Sequence, residues 1–455
     1  MMTDIKSALQ SEEKQGMREA FENQAQEVIE NEERYRKSYS DFKIGLETEY
    51  PAVDKDLNPL DPEIRNQVIE GLDFADVEVG GAQFEVRTDP QRPDSLQELE
   101  EEMRLIEAQL RDEAEVRDAQ VLRSGTHPFI DLDSIPTTDQ PKYEEVPGFH
   151  DRYRNGHVQD SFGRKETIDP RNADLAAVIN STQTNVEAPD FETAVDRANM
   201  TYMISPFMSA ISVNARFVDG KDTGFADVRM PLWEKSHDIR TEEELGDEPV
   251  EAGKLESYYD DLEDYFGRVK EQPFILHEED EALDIGIGTF WKDARIKFKQ
   301  EPENDRYDAI VESRVVSTQP TIPEEVAMHG FYVGRLAYAE SEEIHGEGGE
   351  ELMDIEKVNR NRYTAMHNGL DEKLYDTEGI QRDATEVLEE ELEKAEKGLE
   401  YAGIEDPGYI DMLYDRLETG TPADRMAEGF QEARDAGNSR KESLTEGLEN
   451  QVNRR

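Results

Sequence analysis

The run IGLETEY, residues 44–50, decides the fold, because apolar and acidic side chains alternate along it. In an extended strand, side chains two residues apart point to the same face. The apolar positions would therefore share one face, and Glu47 and Glu49 would stand side by side on the other. Adjacent carboxylates repel each other, and a bound cation usually offsets that repulsion. The polar face of this strand is therefore predicted to line a cavity.

Four further runs show the same alternation, namely AQFEVR (82–87), STQTNVE (181–187), DARIKFK (293–299) and IVESRVV (310–316). An antiparallel sheet with one face toward the core and one toward water would also explain it. The types of polar residue favour a site instead, because acidic, amide and basic side chains recur at the alternate positions. These residues are Gln83, Glu85, Arg87, Gln183, Asn185, Glu187, Arg295, Lys297, Lys299, Glu312 and Arg314.

The carboxylates and the arginines suggest different parts of one chemistry. Hard divalent cations such as Mg²⁺ prefer oxygen ligands and keep waters and substrate phosphates in their other positions. An arginine presents a planar fork of donors that suits phosphate oxygens. Acidic groups facing basic groups are thus typical of a nucleotide phosphate held through metal ions. The residues concerned are Glu47, Glu49, Glu85 and Glu312 for the metal, and Arg295 and Arg314 for the phosphate.

The rest of the chain divides into three parts. Residues 1–40 have helical spacing of apolar residues and form a predicted N-terminal extension. Strand-like and helix-like segments alternate over 41–340, which predicts an α+β catalytic domain. Residues 341–455 are acidic and helical, and the first part is predicted to pack on that domain. Two segments, 136–171 and 234–254, are predicted to be long loops, and the first is a candidate lid.

Composition excludes several classes of function. The formal charge is −57, from 108 acidic and 51 basic residues, which argues against binding to nucleic acid or to an anionic membrane. The acids are spread along the chain, and the 19 Lys are fewer than the 32 Arg, a pattern that suits a halophile. An acidic disordered or buffering protein is the alternative. Without Cys there are no disulfides or thiolate metal sites. No apolar run or signal peptide is apparent, so we expect a cytoplasmic protein.

Other site motifs are missing from the sequence. There is no GxxxxGK[ST] loop, no GxGxxG after a strand and no HExxH. His127, in RSGTHPF, is the histidine with the best claim to a site, although a structural loop histidine is the alternative.

With these residues in view, the chain resembles the glutamate–cysteine ligases and related bacterial carboxylate–amine ligases over residues 41 to about 400. IGLETEY is similar to the opening Gly-x-Glu-x-Glu strand of that family, and GAQFEVRTDP to its Gly-Gly-Gln-Phe-Glu strand. SGTHPF is similar to a segment of the bacterial branch, and the stretch from STQTNVE to MPLW, residues 181–233, to the plant-type branch. FWKDARIK, ESRVVSTQPT and NRYTAMHNGLD follow in the family's order.

The resemblance implies a fold and a reaction. The fold would be glutamine-synthetase-like, a curved antiparallel sheet around a cavity for ATP and divalent metal, with helices outside and a helical C-terminal part. The reaction would activate a carboxylate as an acyl phosphate and form a γ-glutamyl-type amide, as in γ-glutamylcysteine or glutathione biosynthesis. ATP and Mg²⁺ or Mn²⁺ would be needed, and the partners would be small molecules, amino acids and ATP. The oligomeric state stays open. A non-catalytic member that binds a nucleotide or an amino acid is the alternative, and an acidic scaffold a third reading.

The resemblance also implies roles for particular residues. The metal ligands would be Glu47, Glu49, Glu85, Glu312 and Gln183, although Gln183 stands where the bacterial branch has His, which puts the number of metals in question. Arg295 and Arg314 would be the catalytic residues that contact phosphate. The candidates for substrate binding are Arg87, Arg229, Asn185, His127 and Trp233.

Overall fold

The described part of the chain begins with helix. A computed structural model describes residues 12–38, 43–153, 161–169, 173–237, 253–272, 274–276, 278–301, 306–346 and 349–452. The predicted N-terminal helix is present as α1 (Glu12–Glu30), followed by the short α2 (Glu32–Tyr35). Phe21 and Val28 of α1 are buried against the main body of the protein. The helical pattern of this segment therefore arises from packing.

All five strand-like runs are strands, and they belong to one sheet. The strands in the described ranges are β1 (Ile44–Asp54), β2 (Ala75–Asp76), β3 (Gln83–Arg87), β4 (Ala119–Val121), β5 (Ser181–Ala188), β6 (Phe217–Val218), β7 (Lys221–Asp222), β8 (Ala294–Glu301), β9 (Arg306–Ser317), β10 (Lys373–Tyr375) and β11 (Gln381–Asp383). The large sheet has seven strands in the order β2-β3-β1-β5-β9-β8, with β4 beside β1. Every pair within it is antiparallel.

The remaining helices surround this sheet. They are α3 (Pro62–Ile69), α4 (Leu96–Glu115), α5 (Pro141–Tyr153), α6 (Phe191–Ser212), α7 (Arg229–His237), α8 (Leu262–Glu271), α9 (Ala282–Gly288), α10 (Ile322–Glu340), α11 (Glu342–His345), α12 (Ile355–Asn368), α13 (Ala384–Ala402), α14 (Asp411–Thr419), α15 (Pro422–Asp435) and α16 (Arg440–Val452). None of the helices in the described ranges is long and apolar enough to cross a membrane.

One face of the sheet is covered by two long helices, which leaves the other face for the polar side chains. Leu46 of β1 and Val186 of β5 pack in one apolar cluster with residues of α6 and α10. Thr321 caps α10 by accepting a hydrogen bond from the Glu324 amide. The alternation of the strands follows from this arrangement, since each apolar residue turned toward the helices puts its neighbours on the opposite face.

The predicted loop over 136–171 is wrong in its middle, because α5 (Pro141–Tyr153) lies there. Pro141 opens the helix, where its missing N–H costs nothing, and Pro147 is accepted inside it. Residues 154–160 and 170–171 of this segment lie outside the described residues. The predicted loop over 234–254 begins inside α7, and its residues 238–252 are also outside the described part.

The predicted fold class is confirmed. The described chain is an α+β protein with a curved antiparallel sheet, helices on the outside and a C-terminal part that is almost entirely helical.

Candidate active site

The register of the sheet gathers the polar residues predicted from the sequence. Glu49 of β1 lies opposite Glu85 of β3, and Glu47 lies opposite Gln183 of β5. On the far side, Glu312 of β9 lies between Asn185 and Arg295, its partners on β5 and β8. Antiparallel pairing therefore brings side chains that are distant in sequence onto one patch of the sheet.

An acidic cluster occupies one side of this patch. Carboxylate oxygens of Glu49, Glu78 and Glu85 all lie within 4.8 Å of one another. Glu78 comes from the segment between β2 and β3, and sequence reasoning missed it because it is outside the strand-like runs. Gly80 and Gly81 gave the available signal, since a turn there folds the residues before it back beside β3.

The cluster suits a cation. Burial, with the neighbouring Glu78 carboxylate, raises the pKa of Glu49 to about 8, although the Ser181 amide donates a hydrogen bond to it at 2.6 Å. Burial and the charges of Glu78 and Glu47 also raise the pKa of Glu85 well above its usual range. Crowded carboxylates must either take up protons or bind a cation, and three oxygen donors match the preference of Mg²⁺ or Mn²⁺. The acidic cluster therefore fits the predicted metal.

A cationic cluster lies on the other side of the patch, around Glu312. The buried Glu312 carboxylate accepts hydrogen bonds from Arg295 Nε at 2.7 Å, Lys297 Nζ at 2.6 Å and Arg314 Nη1 at 2.6 Å. Burial alone would raise the pKa of Glu312, but these three cations outweigh it and hold the pKa well below the usual range. The structure thus places Glu312 among cations and not within the acidic cluster, because its register on β9 faces Arg295 of β8.

Amide side chains connect the two clusters. Gln183 accepts a hydrogen bond from Arg314 at 3.0 Å and donates one to Glu49 at 3.2 Å. A shift of register between Thr182 and Thr184 marks this point of β5. Asn185 donates to Glu47 at 3.1 Å, and Lys297 approaches the same carboxylate at 3.5 Å. Cations, amides and carboxylates therefore form one continuous network across the sheet.

Two cavities open over this network. The first, of about 530 Å³, is lined by the acidic cluster, Gln183, Arg314 and Trp233. The second, of about 710 Å³, is lined by Arg87, Asn185, Lys297 and Lys299. Glu47, Asp284, Gly288 and Arg295 line both. The two cavities are thus neighbours that share Glu47 and Arg295 in their walls.

Two arginines predicted to bind substrate, Arg229 and Arg87, line different cavities. Arg229 lines the first cavity, but Asp227 and the carbonyls of Val315 and Val316 occupy its guanidinium. Arg87 lies at the rim of the second cavity, half-exposed, with Asp76 as its ion partner at 3.4 Å.

His127 is outside both cavities. Its ring is buried and contacts the carbonyl of Ala52 at 3.2 Å, and burial lowers its pKa to about 4. Lys297 was seen on the same strand face as Arg295 but received no role from the sequence. Its place at Glu312 depends on which strand pairs with β8, and a single sequence does not reveal that pairing.

Residues 43–452 of the chain match the sequence model of glutamate-cysteine ligase family 2 (GCS2). A Rhodopirellula baltica protein, provisionally named glutamate–cysteine ligase 2, is 23% identical over 403 residues, 85% of this chain and 92% of that protein. A Rubrobacter xylanophilus protein, provisionally named glutamate–cysteine ligase 2-3, is 25% identical over 197 residues, 42% of this chain. In that match the chain spans about half of the relative's length, 48%.

A solved structure shares the fold. The crystal structure of the glutamate–cysteine ligase of Francisella tularensis, in complex with AMP, superposes with a TM-score of 0.55 at 13% sequence identity. The superposition covers 92% of this chain and 89% of that one. At this identity the likeness concerns the fold.

Proposed function

Since the chain belongs to glutamate–cysteine ligase family 2, we propose that it is an ATP-dependent carboxylate–amine ligase that forms a γ-glutamyl-type amide. One observation carries the proposal, namely that an acidic and a cationic cluster lie side by side on one sheet face, linked by Gln183 and Glu47. Transfer of a phosphoryl group from ATP to a carboxylate needs both, because negative charge must be balanced at donor and acceptor. The AMP in the Francisella tularensis structure supports a nucleotide as substrate.

Glu49, Glu78 and Glu85 would hold Mg²⁺ or Mn²⁺. When bound, the metal supplies charge neutralisation for the phosphates of ATP. Gln183 already donates to Glu49, so its neutral amide orients a carboxylate of this set. The bacterial branch has a histidine at this position, which would place an imidazole beside the cluster. In this chain we assign Gln183 the role of orienting Glu49 and Arg314 through its two hydrogen bonds.

The cationic cluster would handle the transferred phosphoryl group. Arg295, Lys297 and Arg314 are held by one buried carboxylate, Glu312, so their positions are fixed before substrate arrives. Donors that need no reorganisation stabilise developing charge far better than mobile ones. Glu312 is in this account a positioning residue, and the three cations contact the substrate phosphates.

The chemistry then has two displacements. An oxygen of the γ-carboxylate of glutamate attacks the γ-phosphorus of ATP, and the bond to the bridging oxygen breaks with its electron pair leaving on ADP. The amine nitrogen next attacks the acyl carbon, forming the C–N bond while the C–O bond breaks and inorganic phosphate leaves. The amine loses one proton from its ammonium form before it attacks and a second as the amide forms, each to water or to a carboxylate of the site, and the amide keeps the remaining N–H. ATP is consumed because a free carboxylate would have to expel oxide, a poor leaving group.

Water must stay away from the acyl phosphate until the amine arrives. Helix α5 contributes Tyr143, Val146 and Pro147 to the wall of the first cavity, which the carboxylates of the acidic cluster also line. The segment that the sequence predicts to be a lid therefore contributes a helix to the wall of this cavity. We propose that it shields the acyl phosphate.

The test is ATP-dependent phosphate release with glutamate, a panel of amines and Mg²⁺, with the amide detected by mass spectrometry. We expect release that needs both glutamate and an amine, and loss of it in Glu85→Gln. Binding of ATP in calorimetry with no phosphate release from any pair would favour the alternative, a non-catalytic nucleotide-binding member.

A further inference from the structure

Helix α9 (Ala282–Gly288) forms part of the wall of both cavities. Its residues Asp284 and Gly288 line the first cavity and also the second. The carbonyl of Gly288 accepts a hydrogen bond from Arg295 Nη1 at 3.3 Å. Arg295 is one of the three cations assigned to the transferred phosphoryl group. A shift of α9 would therefore move a wall that the two cavities share, together with the carbonyl that Arg295 contacts.

The sequence of α9 does little to hold this helix in place. The helix has seven residues, and two of them are glycines, which are unfavourable inside a helix. The first N–H groups of any helix have no partner within it, and a side chain usually caps them. The N-cap residue of α9, Glu281, makes no such hydrogen bond within the part of the chain that the structure describes. Contacts from outside the helix are therefore needed to fix its position.

Helix α1 provides these contacts, and it lies before residues 43–452, which match the family model. The side-chain oxygen of Gln24 accepts a hydrogen bond from the amide of Leu283, in the first turn of α9, at 2.7 Å. The side-chain nitrogen of Gln24 donates to the carbonyls of Glu279 at 2.8 Å and Asp280 at 3.2 Å. One side chain of α1 thus caps α9 and also holds the turn that precedes it.

Apolar packing joins the same two helices. The ring of Phe21 in α1 lies so close to Gly286 that a Cβ at that glycine would come within 2.8 Å of two ring atoms. The missing side chain of Gly286 therefore permits the close approach of the ring. Phe274 and Phe266 meet the Phe21 ring edge to face, with centroids 5.6 and 6.0 Å away. Packing at Phe21 and hydrogen bonds at Gln24 together fix α9 to α1.

We infer that Gln24 is a positioning residue of the ligase site, which acts through α9 on the shared wall of the cavities and on the Gly288 carbonyl beside Arg295. This inference rests on the proposed ligase function. Reacting groups must be closely aligned, and a misplacement of about 1 Å can slow the chemical step by about 100-fold. A loosened α9 should therefore affect the chemical step more than the binding of either substrate.

Replacement of Gln24 by Met tests this role, because Met keeps the length of the side chain and removes the amide that makes the three hydrogen bonds. In phosphate release with ATP, glutamate, Mg²⁺ and cysteine, or the amine of the panel that reacts fastest, kcat should fall about tenfold. The KM values for ATP and glutamate should stay within about threefold of the wild type.

Gln26→Met is the matched control. Gln26 is exposed on the same helix, and its side chain donates to Glu30 of α1 at 3.1 Å. This variant should match the wild type in kcat and in urea unfolding. A fall of kcat in Gln26→Met equal to that in Gln24→Met would overturn the inference, because the effect would then belong to α1 in general.

Hydrogen exchange gives a readout that needs no turnover. In Gln24→Met the amide of Leu283 should exchange at least about fivefold faster than in the wild type, while amides of β5 keep their rates. Unchanged exchange at Leu283, an unchanged kcat, or a defect confined to KM would overturn the inference and leave the ligase function standing. If the wild type releases no phosphate with any amine, the ligase proposal fails, and the inference that rests on it fails as well.

Discussion

Replacement of Glu312 by Gln keeps the shape of the side chain and removes the charge that three cations share. Arg295, Lys297 and Arg314 would then repel one another at the edge of the cavity. We expect loss of both stability and turnover, because Glu312 is fully buried and its carboxylate sets the positions of all three.

The size of the stability loss in Glu312→Gln follows from the burial of Glu312. Removal of one partner from a buried ion pair costs about 3–5 kcal/mol. The side chains of the three cations are 13–27% exposed, so water relieves part of that cost and the lower end, about 3 kcal/mol, applies. Displaced phosphate contacts should lower kcat by about 100-fold or more, which corresponds to about 2.7 kcal/mol of transition-state stabilisation.

Glu391→Gln is the matched control. Glu391 is also a buried carboxylate held by two cations, Arg335 and Lys394, each at 2.6 Å, but it lies in α13, outside both cavities. Urea unfolding should show a similar loss of stability in both variants, and phosphate release should fall in Glu312→Gln alone. Near-normal turnover in Glu312→Gln, or an equal loss of turnover in Glu391→Gln, would refute the reasoning.

Arg314→Lys keeps the charge but loses the planar fork, so kcat should fall about 100-fold while the Kd for ATP in calorimetry stays within about threefold; equal changes in both would make Arg314 a simple counter-charge. The free energy of unfolding in urea should rise between about 0.1 M and about 2 M KCl, because salt screens the surplus carboxylates, and a flat response would contradict the halophilic interpretation. Burial lowers the pKa of His127 to about 4 and that of His329 to about 3. Both values lie below the pKa of about 6.5 of a histidine in an unfolded chain, so the unfolded chain takes up these protons first. The contribution of the two neutral histidines to the free energy of unfolding is therefore present above about pH 6.5 and is lost as the pH falls toward 4. His329→Asn should make this loss shallower by about 1.4 kcal/mol per pH unit, and an unchanged slope in urea unfolding would exclude the titration of His329 as a cause.

The strands of the site could be predicted because alternation is a local property. IGLETEY alone placed Glu47 and Glu49 on one face, and the same rule held for the strands that carry Glu85, Gln183, and Glu312. The family resemblance stated from these motifs is confirmed.

Partners across strands could not be predicted in the same way. Glu312 was predicted to be a metal ligand together with the other carboxylates. The run IVESRVV does not reveal that DARIKFK is the neighbouring strand, which supplies Arg295 and Lys297. Arg229 was predicted to meet a substrate, but its guanidinium is occupied by Asp227 and by carbonyls of β9. Such assignments depend on register and on burial, which emerge only when the whole sheet is assembled.

Helix α5 was missed for another reason. Its prolines and Gly148 are turn-formers in isolation, and they led to the prediction of a loop. Within the fold, the helix carries Phe149 and His150, both buried, and packing of these side chains outweighs the weak local propensity.

The central claim is that a carboxylate is activated by ATP on the patch formed by the two clusters. Glutamate labelled with oxygen-18 in its γ-carboxylate tests it most directly, by mass spectrometry of the phosphate released during amide formation. Each phosphate released should carry a single labelled oxygen, because the carboxylate oxygen that attacks phosphorus leaves with it. Unlabelled phosphate, or release of AMP and pyrophosphate in place of ADP and phosphate, would contradict it.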